Sequence, residues 1–185
     1  MTKSKPSYYV ATNAAYDVLA ETETYTAPIK VMPLFKKSDP SIGLMTFTKF
    51  SEYMGMPAEL FAEVGPSKDG FTLLDRDSGL KIVVFNERLS TQRVRFTLAH
   101  ELGHCALGHL EDDEVADLEA NCFARNLLCP LPLRKEGDFY SCADRFQISL
   151  EMAAAVNDFD PLDQYHILST HLKRFKRYND IKGLF

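Results

Sequence analysis

Between Arg93 and Leu107 two histidines, His100 and His104, stand four residues apart, with Glu101 beside the first and apolar residues filling the neighbouring turns. At ~3.6 residues per turn, positions four apart lie about 40° from each other around a helix and one turn apart along it, so both imidazoles can reach a single ion. A carboxylate next to the first histidine is placed to orient and deprotonate a water on that ion. Leu98, Ala99, Leu102 and Ala106 surround these polar groups. Burying three polar side chains there would be costly without a partner, and a metal ion is such a partner. The segment reads as a metal-binding helix, and the rest of the chain has to bring it a third ligand.

The flanking residues support that helix. Ser90 or Thr91 suits its N-cap and Gly108 the position just past its end. Before it, Phe71 to Leu74 and Leu80 to Phe85 flank a turn at residues 75–79 and read as an antiparallel hairpin. The second run, Leu80, Ile82, Val83, Val84 and Phe85, is apolar almost throughout, as in a strand buried on both faces. Upstream, Val10, Ala11, Ala14, Ala15, Val18 and Leu19 recur at helical intervals. Pro28 and Pro33 leave room for a turn or two of helix, Gly43 to Phe50 suits a first strand, and residues 51–70 read as a loop with helical turns. Downstream, Glu111 to Glu114 open a helix that Pro130 stops. A helical hairpin follows over residues 138–157, then one last helix from Asp160, with Leu162, Tyr165, Leu168 or Ser169, Leu172 and Phe175 as its inner stripe. The fold class is α+β: mostly helical, with a small, mainly antiparallel sheet packed on the His100–His104 helix.

With 185 residues, 45% of them apolar, the chain suits one core and one domain: residues 1–7 a flexible tail, 8–130 the catalytic core, 131–185 a helical subregion. Its 21 basic residues against 26 acidic ones argue against coating nucleic acid or an anionic membrane. The hairpin at 138–157 resembles a helix-turn-helix, but residues 149–158 hold no Lys or Arg and do hold Glu151 and Asp158, so direct nucleic-acid binding is not expected. The basic run Lys173 to Arg177 is accounted for by the helix dipole. Neither a signal peptide nor a run of ~20 apolar residues is present, so a cytoplasmic location away from membranes is expected. The four cysteines, Cys105, Cys122, Cys129 and Cys142, form no C-x-x-C pair and read as thiols.

For the third ligand, His109 lies five positions past His104, one short of the metzincin spacing. Glu119 is the stronger candidate, a carboxylate centred on the apolar face of the next helix, where it needs a cation. A salt bridge to Arg93, Arg95 or Arg125 is the bland alternative for Glu119, and Asp113 and Glu114 stand in reserve as ligands. Arg95-Phe-Thr-Leu-Ala-His-Glu-Leu-Gly-His104 followed by Glu119-Ala-Asn-Cys-Phe-Ala-Arg-Asn-Leu-Leu-Cys-Pro130 resembles the two signature segments of the ImmA/IrrE family of metallopeptidases. That resemblance implies a zincin-like core, zinc held by His100, His104 and Glu119, and Glu101 as general base. It also implies, as substrate and partner, a helix-turn-helix repressor of a phage, mobile-element or stress-response circuit, cut at one site by an antirepressor. Zinc suits these ligands best, with Mn²⁺ or Fe²⁺ also accommodated. Tyr140, His109, Arg125, Asn126 or a backbone N–H are the candidates for an oxyanion or substrate contact. The rival reading is a metal-containing regulatory protein that binds a repressor or another partner without cutting it.

Overall fold

The computed structural model describes residues 5–183 apart from 58, 61, 62, 64, 65, 76, 111, 112, 136 and 137. Helix α1 (Tyr8–Glu21) leads through α2 (Val31–Ser38) to strand β1 (Ile42–Thr46) and helix α3 (Phe47–Met54). Strands β2 (Gly70–Leu74) and β3 (Lys81–Phe85) precede the long helix α4 (Thr91–Leu107) and its partner α5 (Glu114–Leu128). A 3-10 turn (Leu131–Leu133) then leads to α6 (Phe139–Phe146), α7 (Leu150–Asp158), α8 (Asp160–His166) and α9 (Ser169–Lys182).

The fold is α+β, helix-rich with a three-stranded sheet in the order β1-β3-β2. The hairpin expectation holds: β2 runs antiparallel to β3, with Phe71 opposite Val84. The sheet is mixed rather than antiparallel throughout, because β1 reaches β3 by a crossover and pairs parallel to it, Leu44 beside Val83. β3 is buried on both faces, as its sequence demands. Val83 joins the main core with Leu98, Leu102, Phe123 and Leu127, while Val84, on the opposite face, packs with Phe47, Phe50 and Phe71.

Two expected elements change their bounds. The first strand stops at Thr46, because the Thr46 hydroxyl accepts the Lys49 N–H and caps α3, so Phe47 to Phe50 turn helical. The last helix is split in two. Asn13 on α1 donates its amide N–H to the His166 carbonyl and accepts the Leu168 N–H, giving the chain partners that a continuous helix would have supplied itself. Phe175 is fully buried, as its place in the inner stripe requires, whereas Tyr165 is exposed and Leu168 and Leu172 are partly so. Among the described residues no helix is long and apolar enough to cross a membrane.

Helices α4 and α5 form the most extensively packed pair of elements, and Gly103 sets how closely they meet. A Cβ there would lie 3.0 Å from the Phe123 ring and 3.2 Å from the Ala120 Cα, so a side chain at 103 would push α5 back by a few tenths of an ångström. Ser90 caps the start of α4 by accepting the Arg93 N–H. At the other end Gly108 takes φ +69°, which reverses the chain at once. Asp113 accepts the N–H groups of Val115 and Ala116 and starts α5, a cap worth about 1 kcal/mol. Of the acidic run 111–114, Glu111 and Asp112 lie outside the described residues.

Candidate metal centre

His100 and His104 face one another on α4, Nε2 to Nε2 at 2.9 Å. Each ring is oriented through its other nitrogen. His100 Nδ1 lies 3.0 Å from the Asn121 Oδ1, and since that oxygen only accepts, Nδ1 carries the proton and the Nε2 lone pair points inward. His104 Nδ1 lies 3.0 Å from His109 Nδ1, and His109 Nε2 lies 2.9 Å from the Glu119 Oε2. Glu119 accepts from His109, which leaves His109 Nδ1 to accept from His104 Nδ1 and turns the second Nε2 lone pair inward as well. The Gly108 reversal makes this relay, because it folds the chain back so that the His109 N–H donates to the His104 carbonyl.

The carboxylate that meets the two Nε2 atoms is Asp117. Its Oδ1 is 3.6 Å from His100 Nε2 and 3.5 Å from His104 Nε2, and the three residues form a group able to hold a metal ion. Atoms bound tetrahedrally to zinc at ~2.0–2.1 Å sit about 3.3 Å apart, so this triangle of two imidazole lone pairs and one carboxylate oxygen fits the ion. Glu119, the residue favoured from sequence, instead accepts from His109 and from the Ser7 N–H at 2.6 Å. The physical reason is helical phase. Positions 117 and 119 differ by about 200° around a helix, so when Asp117 and Asn121, one turn apart, face the histidines, Glu119 faces the loop after α4. The alternative salt bridges for Glu119 are not made either: Arg93 pairs with Asp69, Arg125 with Asp163, and Arg95 donates to the carbonyls of Ile29, Phe146 and Gln147.

Glu101 is buried, and its Oε2 accepts the Thr72 hydroxyl of β2 at 2.7 Å. It lines a cleft of about 310 Å³ together with His100, His104, Asp117 and Asn121, while Gly70 and Phe71 of β2 form the opposite rim. The Asn86 N–H donates to the Asp69 carbonyl and the Asp75 N–H to that of Leu80, so odd positions of β2 pair with β3. Gly70, Thr72 and Leu74 therefore turn their backbone groups away from β3, along a sheet edge where no further strand lies among the described residues. Of the residues expected to contact an oxyanion or substrate, none lines this cleft. Tyr140 is exposed on α6, His109 belongs to the His104 relay, and Arg125 and Asn126 are buried against Asp163. Asp117 was not singled out from the sequence. Its one local signal is the four-residue spacing to Asn121, which matches the spacing of the two histidines.

A family model described as the IrrE N-terminal-like domain, of peptidase family M78, matches residues 60–156, just over half of the chain. The chain belongs to the M78 peptidase family. The match spans β2, β3, α4, α5, α6 and most of α7, and it includes Thr72, His100, Glu101, His104, His109, Asp117, Glu119 and Asn121. No curated protein matches the chain. M78 membership supports a metallopeptidase-type function, and His100, His104 and Asp117 form a group that could hold a metal ion.

Proposed function

We propose that this M78 domain is a zinc-dependent endopeptidase that cuts a helix-turn-helix transcriptional repressor and so relieves repression in a phage, mobile-element or stress-response circuit. The observation that carries the peptidase reading is the convergence of His100 Nε2, His104 Nε2 and Asp117 Oδ1 beside the buried carboxylate of Glu101. We assign the third ligand position to Asp117 and give Glu119 the part of orienting His104 through His109. Zinc bound there supplies Lewis acidity to the scissile carbonyl and lowers the pKa of water. Thr72 fixes the rotation of the Glu101 carboxylate, which takes the proton of the attacking water and returns it to the leaving amine.

An extended substrate segment laid along β2 meets the outward backbone groups of Gly70, Thr72 and Leu74 and passes over Glu101. A second cavity, of about 550 Å³, shares Arg93, Phe96 and Asn121 with the cleft and is walled by Leu118, Met152 and Ala155. It suits a large apolar side chain of that segment. The repressor as substrate rests on the signature resemblance alone. Asp117→Ala is expected to lose the metal together with cleavage, and Glu101→Gln to keep about one equivalent of metal while losing cleavage. Elemental analysis and incubation with the repressor encoded nearest the gene measure both. Wild-type protein that holds metal yet leaves that repressor and every unfolded test protein intact would sink the peptidase reading in favour of metal-dependent binding.

A further inference from the structure

Away from the metal centre, two thiols face each other across the helical subregion. Cys129 caps the end of α5 and is fully buried; Cys142 sits on α6 and is half-buried, and their sulfurs are 3.7 Å apart with no bond between them. Cys142 opens onto a cavity of about 740 Å³ and shares its wall with Arg134, Lys135 and Arg145 and with Asp138, Asp158 and Asp160. Arg134 also holds the Cys129 carbonyl through Nε at 2.9 Å, so a guanidinium stands beside both cysteines.

We propose that Cys142 and Cys129 form a peroxide-reactive dithiol, in which Cys142 is the attacking sulfur, Cys129 the resolving one, and the ligand of the cavity a hydroperoxide. Sequence spacing does not announce the pair, since 129 and 142 belong to different helices and meet only in the fold. Exposure divides the roles between the two thiols, since Cys142 lines the cavity and Cys129 is fully buried behind it. Cys142 is pulled down to about 7, first by the hydrogen bond with Cys129 and then, against burial, by the positive charge of Arg134 and Arg145. Cys129 is pushed up by that same hydrogen bond and by burial, so it stays protonated until it is needed. An accessible thiolate beside a guanidinium reacts, whereas a buried thiol is inert until a partner sulfur comes within reach.

The chemistry closes without a further reagent. The Cys142 thiolate attacks the nearer peroxide oxygen, the O–O bond breaks, and the leaving alkoxide or hydroxide takes a proton, leaving Cys142 as a sulfenic acid. Cys129 sulfur then attacks Cys142 sulfur, the S–O bond breaks, and the departing hydroxide leaves as water with the Cys129 proton. Two thiols and one hydroperoxide thus become a disulfide, an alcohol or water, and a water. Burial raises the Cys105 thiol to about 11. Cys122 also has a guanidinium beside it, Arg125 Nη2 at 3.5 Å, but burial outweighs that charge and raises the thiol.

The test uses the full-length, metal-loaded chain treated with a small excess of hydrogen peroxide at pH 7, followed by thiol titration and peptide mapping. Thiols should fall from four to about two per chain, with a single cross-linked peptide joining Cys129 to Cys142 and full recovery on addition of dithiothreitol. Cys142 should react on the order of tenfold faster than Cys122. Cys142→Ser should form no disulfide, and Cys129→Ser should stop at a sulfenic acid that dimedone captures. If Cys129→Ser does not fold, the half-buried Cys142→Ser and the wild-type peptide map decide alone. Unchanged thiols, a disulfide involving Cys105 or Cys122, or peroxide consumption in Cys142→Ser at the wild-type rate would each overturn the proposal.

Discussion

Helix α5 carries two polar clusters, one near each end, and they are built on opposite principles. Near its C-terminus, Asp163 accepts from Arg125 Nε and Nη2 at 3.1 and 2.8 Å, from Asn126 at 3.0 Å and from Arg134 at 3.0 Å, while Arg134 also reaches Asp160. Two cations meet two carboxylates, so the charge closes within the protein. Near the N-terminus, two imidazole lone pairs and a carboxylate oxygen converge, and all three are acceptors. The Arg125 cluster is nearly sealed, whereas Asp117 is 56% exposed. On a single helix, then, a structural cluster matches its cations to carboxylates, whereas the other cluster gathers ligand atoms that a cation can bridge.

The largest effect should come from breaking the balanced cluster. Asp163→Ala leaves Arg125 and Arg134 short of their shared counter-charge and should cost about 3–5 kcal/mol in urea unfolding. Burial alone would raise the Asp163 carboxyl, but the hydrogen bond and charge of Arg125, then Asn126 and Arg134, outweigh it and hold the group below the usual carboxylate range. A depressed folded-state pKa contributes stability that is fully present above the unfolded value of ~3.9 and is lost as pH falls through the folded one. Wild type should therefore show an acid-side loss of stability below about pH 4 that Asp163→Asn lacks. An identical acid limb in both proteins would contradict the network.

Gly103→Ala tests how the two helices are brought together. Its Cβ would press on the Phe123 ring and Ala120, and the overpacking should cost about 1–3 kcal/mol, read by calorimetry, and weaken metal binding as the histidines move from Asp117. Asn121→Ala should do the reverse, leaving unfolding free energy within about 1 kcal/mol while metal affinity falls about 10–100-fold in a chelator competition. Equal losses of stability and affinity would show that Asn121 is structural. The smallest effect belongs to Thr72→Val. It removes the hydrogen bond on Glu101 and should lower cleavage about tenfold with metal content unchanged, since one hydrogen bond to a charged group is worth about 1.5 kcal/mol.

Much of this was legible in the residues. The helix over residues 91–107, its Ser90 and Gly108 caps, the hairpin and the doubly buried β3 follow from patterns that act within a few residues. That His100 and His104 share a face also follows from helix geometry alone, as does the place of Glu101 beside them. Patterning along the helix singled out Glu119, held Asp113 in reserve and left Asp117 unmarked. Which of them meets the histidines depends on the rotation of α5 about its axis. That rotation is set by Phe123 and Ala120 closing on Gly103 and by the buried Arg125, all of them contacts between distant segments. The parallel pairing of β1, the Asn13 break between α8 and α9, and the meeting of Cys129 with Cys142 arise the same way. Local periodicity and capping are short-range and were determined by the sequence itself, while register, rotation and the choice of carboxylate were decided only when the helices packed.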